Sequence, residues 1–437
     1  MLCAEEFCRA PDRLELFPYP KAKKKLRQLS LLTLRDLALL RFVAGILIER
    51  VDAVLPAAVY LYRLAQIKPI WEFKNRAWRD FTRDGIKIIK SRQYAGMYRT
   101  DVSSYYPSIS LDVLQETLEQ IGCDRDCINF VISILAFYNN QIVGLGLPIG
   151  PEACAVLSNA YLSPLDSRLS QLGARYLRYG DDVLLFAEKV TEYERLLREI
   201  DEQFSELRLI RSIEKSNFYD PDAAIENLKS GRIDYLGHLL NVEPEYGLRN
   251  VRRDFDAEVI GDADPDPSKF RWLLKVLQNK GDDHACSALA ASPEKMNIDP
   301  RVTSDYFIET GFSDSRVIEA MMERLTAGTE DQYEGLDLHL LRAVSTQAFG
   351  GPESKEFKKI AMDSSRRYPI RNWAWKAYAK SSGKYPELAE AASAETNPRV
   401  RRGIIVSMLG CTDGKFLDHV RRKFPESRYA AEWLAAA

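Results

Sequence analysis

At 437 residues, 46% of them hydrophobic, the chain is long enough for two or three domains with ample core. Its net charge of −2 excludes a uniformly basic nucleic-acid coat, but the average hides an asymmetry: residues 21–100 hold 18 Lys and Arg against 6 Asp and Glu, leaving 43 against 57 elsewhere. The seven cysteines have no paired spacing beyond Cys123 and Cys127, and His238, His284, His339 and His419 lie apart from them, which argues against zinc and for reduced cytosolic thiols.

The N-terminus carries Glu5 and Glu6 and no long apolar core, so no signal peptide is expected. Between Leu29 and Tyr62 an apolar stretch is broken by Arg35, Asp36, Arg41, Glu49, Arg50 and Asp52. That predicts amphipathic helices and no membrane span. The basic lobe suits a groove tracking a phosphate backbone, since phosphate contacts supply most non-specific affinity. Trp71, Phe73, Trp78 and Phe81 within it can stack on bases, though at helical spacing such aromatics are more often core.

Met97–Val102 alternates and predicts a short strand ending at Asp101, with Pro107 opening a helix. Gly146–Glu152 then leads into a helix over Ala153–Leu162 that is small and apolar on one face. Arg175–Arg178 and Val183–Ala187 read as strands, with Gly180 supplying the turn. Asp181 and Asp182 therefore sit at a hairpin tip. Like charges about 4 Å apart repel by roughly 4 kcal/mol at intermediate dielectric, and a hard cation such as Mg²⁺ offsets that. Alone, such a pair is more often a solvated loop tip than a metal site. With Asp101 at a neighbouring strand end it becomes a scaffold for two metals clamping an in-line phosphoryl displacement.

Gly261–Pro267 is a Pro/Asp-rich linker signal, and beyond it strand patterns stop. Helical patterns follow over Arg316–Leu325, Leu336–Gln347, Trp373–Ser381, Tyr385–Ala394 and Arg399–Leu409. Asn397–Gly410, with its Pro-Arg start and apolar stripe, resembles the second helix of a HEAT-like repeat; a plain helical bundle is the alternative. Arg399, Arg401 and Arg402 are candidate contacts to a partner or members of a solvated helix face.

Three blocks resemble, in order and spacing, the palm motifs of reverse transcriptases: Asp101 with Tyr105-Tyr106, Leu147-Pro-Ile-Gly150 before a helix, and Tyr179-Gly-Asp-Asp182. Phe17–Lys21, Lys25–Arg27 and Leu34–Asp36 resemble the fingers segment, Ile213–Phe218 the lysine-bearing segment, and Ile233–Leu240 the primer-grip hairpin. The resemblance covers roughly residues 15–245. It implies an α+β right-hand polymerase, with fingers and palm (antiparallel sheet) in 1–245. Thumb helices and an all-α, HEAT-like domain would occupy 246–437.

The implied activity is RNA-directed DNA polymerisation with two Mg²⁺ ions, or Mn²⁺. Asp101, Asp181 and Asp182 match the catalytic carboxylates, and Val102 adds a metal-side position. Tyr106 matches the steric gate that excludes a ribose 2′-hydroxyl, with Tyr105 beside it. Arg27, Lys215, Ile149 and Gly150 match nucleotide-binding positions, and Leu236 and Gly237 the primer grip. Ile149 replaces a glutamine common in the family, which implies reduced fidelity or unusual template use.

A retron Val-Thr-Gly, a maturase segment, a nuclease and an RNase H pattern are all lacking. A reverse transcriptase followed by helical repeats resembles the bacterial abortive-infection and defence-associated (unknown-group) type. That implies a cytoplasmic antiphage enzyme making DNA from dNTPs, templated by an RNA such as a dedicated noncoding one, or template-independent, and able to form a homo-oligomer. The alternatives are an enzyme of a retron-like or diversity-generating element, and a non-catalytic nucleic-acid-binding scaffold.

Overall fold

Short strands and many helices appear in the computed structural model, which describes residues 10–21, 25–66, 72–73, 77–228, 231–312, 315–327, 334–411 and 413–424. Two units emerge: Met1–Phe17 with Gln28–Asp234, and Pro18–Arg27 with Tyr235–Ala437. Strands β1 (Glu15–Lys21) and β2 (Lys25–Leu31) form a hairpin whose outer half groups with the second unit.

In the first unit, α1 (Leu34–Val54) starts at Thr33, whose hydroxyl accepts from Asp36 N at 3.3 Å. Its Leu40, Val43, Leu47, Ile48 and Val51 enter the core. Strands β3 (Leu64–Gln66) and β4 (Glu72–Phe73) pair, and α2 (Ala77–Lys90) follows. Next come β5 (Met97–Thr100), the single turn α3 (Tyr105–Ser108), α4 (Leu111–Ile121), α5 (Arg125–Gln141), α6 (Glu152–Tyr161) and α7 (Ser163–Gln171). Pro107 lies inside the α3 turn, and the longer helix starts only after Ser110.

Strands β6 (Arg175–Tyr179) and β7 (Asp182–Phe186), helix α8 (Val190–Glu206), strand β8 (Asn217–Tyr219) and α9 (Pro221–Leu228) complete the unit. The main sheet is antiparallel, ordered β6-β7-β5-β8. Period-two alternation splits its side chains between two cores. Tyr176, Val183 and Leu185 join the layer of α1 and α4–α7; Met97, Leu177, Leu184 and Phe186 pack with Phe81, Ile88 and Ile89 of α2.

Helix α10 (Gly231–Val242) occupies the segment expected to form a primer-grip hairpin, which is a correction. Leu236 and Leu239 are buried, at the spacing of a helix face and not of a strand, and Gly237 is tolerated within it. The second unit continues with α11 (Pro244–Phe255), a π turn (Asp256–Ile260), α12 (Pro267–Asn279), α13 (His284–Ala291), α14 (Pro300–Thr310), α15 (Ser315–Thr326), α16 (Glu334–Val344), α17 (Gly351–Met362), α18 (Tyr368–Ser382), α19 (Tyr385–Ala394), α20 (Pro398–Met408) and α21 (Gly414–Lys423). No strand occurs among the described residues after 235. The Gly261–Pro267 linker signal falls inside this unit, where Asp266 caps α12 by accepting from Lys269 N at 2.8 Å.

Helices α12, α14, α16, α18 and α20 pack successively in one row, and α13, α15 and α17 in another. Buried Asp337 on α16 ties the rows, accepting from Arg324 Nε and Arg366 Nη1 at 3.0 Å each. Arg399 is buried with its guanidinium 5.0 Å from the Tyr368 ring centre, so it is a packing group and not an exposed contact, while Arg401 and Arg402 are half-buried. No helix among the described residues is long and apolar enough to cross a membrane.

Candidate active site

Strand β5 stops at Thr100, and Asp101 follows at the sheet's end. Tyr179 and Asp182 oppose each other across β6 and β7, so Gly180-Asp181 is a two-residue turn. Gly180 has φ +65°, which a glycine adopts without cost at the first position of such a turn. Thr100 opposes Val183, and this register sets Asp101 beside the β6–β7 turn.

The Asp101 and Asp181 carboxyls lie close enough to act on each other. Burial, reinforced by Asp101, pushes Asp181 well above the ordinary carboxylate range, against the opposing pull of Lys215. The Lys215 ammonium rests on Asp101 Oδ2, and Val102 N donates to Oδ1 at 3.0 Å. Asp182 takes a different partner. Arg99 grips it with Nε on Oδ1 at 3.0 Å and Nη2 on Oδ2, and also holds Asn227 Oδ1 at 3.0 Å. Burial raises the Asp182 carboxyl and Arg99 opposes the rise.

Among the described residues, no group of three or more His, Cys, Asp or Glu side chains is arranged to hold a metal ion. Asp182, expected as the third acidic ligand, is turned to Arg99. Asp101 and Asp181 still offer the all-oxygen donors that Mg²⁺ takes, and the ammonium on Asp101 is a cation already drawn to them. The donor set therefore fits the ion.

Tyr105 is buried, its hydroxyl donating to Ser158 O at 2.5 Å. Tyr106 stands against it at 82°, ring centres 5.7 Å apart, with its hydroxyl 3.4 Å from Ser158 Oγ. Ile149 O accepts from Ser30 N at 2.8 Å, fastening the loop before α6 to β2; Gly150, at φ +125°, is exposed there. Arg27 is exposed on β2, in the part of the hairpin that groups with the second unit, as do Leu236 and Gly237. Phe81 is core, whereas Trp78 is exposed and edge-on to Tyr179 at 5.0 Å. Trp71 and the Phe73 side chain lie outside the described residues.

Sequence reasoning missed Arg99 and Arg178. Both are arginines inside short apolar strands, a misfit that was the available signal.

A polymerase palm is the class this sheet and turn define. The family description "Reverse transcriptase (RNA-dependent DNA polymerase)" matches residues 19–240. The chain belongs to that family and is thus an RNA-directed DNA polymerase, a nucleotidyltransferase. No curated protein matches it. Similar solved structures include telomerase from Candida albicans in complex with the TWJ fragment of telomeric RNA (10% identity, 85% of this chain, 67% of that chain, TM-score 0.38). Another is apo telomerase from Candida tropicalis (10% identity, 83% and 68%, TM-score 0.37).

Proposed function

We propose that this chain polymerises deoxynucleotides by two-metal phosphoryl transfer at Asp101 and Asp181, on an RNA template or without one, as part of cytoplasmic antiphage defence. The observation that carries the chemistry is the meeting of those two carboxyls at the sheet's end, with Asp181 held far above its ordinary range. Asp101 and Asp181, joined by Asp182 and the Val102 backbone, would hold Mg²⁺ or Mn²⁺. When bound, the ions polarise phosphoryl oxygens and stabilise the attacking and leaving oxygens.

This chain's residues supply the rest. Tyr106 walls the sugar side and disfavours a 2′-hydroxyl. Ile149 and Gly150 line the loop fastened to Ser30, where a base pair would rest. Arg27 and Lys215 supply charge for a triphosphate. The two rows of stacked helices support a HEAT-like reading of the second unit, and a polymerase followed by such repeats supports the abortive-infection type. On this reading the partners are a dedicated noncoding RNA, the DNA product and further copies of the chain.

The non-catalytic scaffold reading draws on the pairing of Asp182 with Arg99 and of Asp101 with Lys215. One experiment decides. The full chain is expressed with and without phage infection, its co-purifying nucleic acid is sequenced, and dNTP incorporation with Mg²⁺ is compared with that of Asp101→Asn. Incorporation that Asp101→Asn abolishes, together with protection of cells by wild type alone, supports the proposal. Protection undiminished in Asp101→Asn would favour the scaffold.

A further inference from the structure

The largest fully buried side chain among the described residues is charged: it is Arg178 on β6. Its guanidinium donates through Nε to Asp166 Oδ1 at 3.0 Å and through Nη2 to Asp166 Oδ2 at 2.6 Å. Through Nη1 it donates to Asn159 Oδ1 at 2.9 Å and to the Gly180 carbonyl at 2.7 Å. Tyr176 donates its hydroxyl to Asp166 Oδ1 at 3.1 Å, and Asn159 Nδ2 donates to Leu61 O at 2.9 Å. The backbone is fixed too, with Arg178 N on Ala58 O at 2.8 Å and Tyr60 N on Arg178 O at 2.9 Å.

A buried ion pair is poor evidence for stability, because desolvation consumes most of the Coulombic gain. Another role is needed, and the Gly180 carbonyl supplies one. That oxygen belongs to the Gly180–Asp181 peptide, the central unit of the catalytic turn. The peptide is planar, so fixing its oxygen fixes the Asp181 nitrogen and Cα with it. Glycine at the first position, followed by Asp181 outside the positive-φ region, suits the II′ geometry. A hold on the Gly180 carbonyl narrows the remaining freedom of that peptide.

We infer that Arg178 is a positioning residue: it locks the Gly180–Asp181 peptide so that Asp181 faces Asp101, while Asp166 and Asn159 aim the guanidinium. The inference rests on the reading that Asp181 takes part in catalysis. It adds a brace running from α6 and α7, through the sheet, to the turn.

The test compares full-length wild type with the double variant Arg178→Met/Asp166→Leu, which removes the pair without leaving one charge buried. Thermal unfolding reads the fold. Hydrogen exchange over residues 175–187 reads the turn, and kcat and KM for dNTP read the chemistry. The double variant should still unfold cooperatively, at a midpoint lowered by the lost partners of Asn159 Oδ1, the Gly180 carbonyl and the Tyr176 hydroxyl. Its turn amides should exchange at least tenfold faster, and kcat should fall at least tenfold with KM within twofold. Unchanged exchange and kcat in a folded double variant overturn the inference. If the double variant does not fold, Arg178→Lys takes its place, because it keeps a cation on Asp166 but cannot span to Asn159 and Gly180 together. Wild-type exchange and kcat in that variant then overturn the proposal. If wild type itself incorporates no dNTP, the function proposed above fails, while the exchange measurement still decides the role of Arg178.

Discussion

Lys215 and Asp101 are joined across the end of the palm sheet: the ammonium, on the short 3₁₀ turn Ile213–Lys215, rests on Oδ2 of the carboxyl that also acts on Asp181. A side-chain cation there competes with any metal for the same oxygen. Lys215→Met should therefore tighten Mn²⁺ binding to the nucleotide-free protein by threefold or more, read by electron paramagnetic resonance. Unchanged binding would mean that the ammonium yields without cost.

Asp101→Asn and Asp181→Asn should each lower dNTP incorporation by about a thousandfold or more, equivalent to about 4 kcal/mol of transition-state stabilisation. The same Asp181→Asn change removes a charge that burial and Asp101 both disfavour. Without metal it should unfold at a higher temperature than wild type. Near-normal incorporation by either variant with Mg²⁺ present would sink the assignment of these carboxylates.

Tyr106→Ala should leave dNTP use largely intact and raise rNTP incorporation about tenfold or more, since each 1.4 kcal/mol of lost clash is a factor of ten. Tyr106→Phe keeps the ring and loses only the hydroxyl's contacts with Ser158 and Tyr62, so it should discriminate like wild type. Equal use of both sugars by wild type would show that the ring is no gate.

Much of this site was legible in the chain itself. A glycine between two apolar runs announces a hairpin, and the Asp101 and Gly180–Asp182 blocks come from adjacent strands as their patterns require. What could not be read were partners chosen by sheet register. Arg99 reaches Asp182, and Lys215 reaches Asp101, only because β7 and β8 flank β5. Ile233–Leu240 was misread because motif likeness outweighed its Leu236 and Leu239 spacing, which belongs to a helix. Arg399 looked like a surface charge because sequence does not reveal the Tyr368 ring beside it.

His339 gives the second unit a pH dependence. Burial, helped by Arg342, lowers its pKa to about 4; Asp299 and Asp305 oppose the shift and Arg301 adds to it. The folded state therefore binds fewer protons than the unfolded chain, whose imidazole titrates near 6.5. The stabilisation is present above pH 6.5 and drains away as pH falls towards 4. Between pH 7.5 and 4.5 wild type should lose about 2.5 kcal/mol more than His339→Gln in denaturant titrations. Parallel losses in the two proteins would refute the claim.

The split hairpin has a consequence for how this enzyme could ever have been assembled or taken apart. Residues 18–27 group with the helical unit, where the Tyr19 hydroxyl meets His339 Nε2 at 3.1 Å, yet both flanking segments belong to the palm-bearing unit. The chain thus passes from one body to the other at 17/18, 27/28 and 234/235. A single cut near residue 245 separates the sequence blocks but not the bodies: it leaves the hairpin tip without its histidine. The two halves are not interchangeable cassettes, and a helical unit borrowed from a relative would have to bring its own matching hairpin segment.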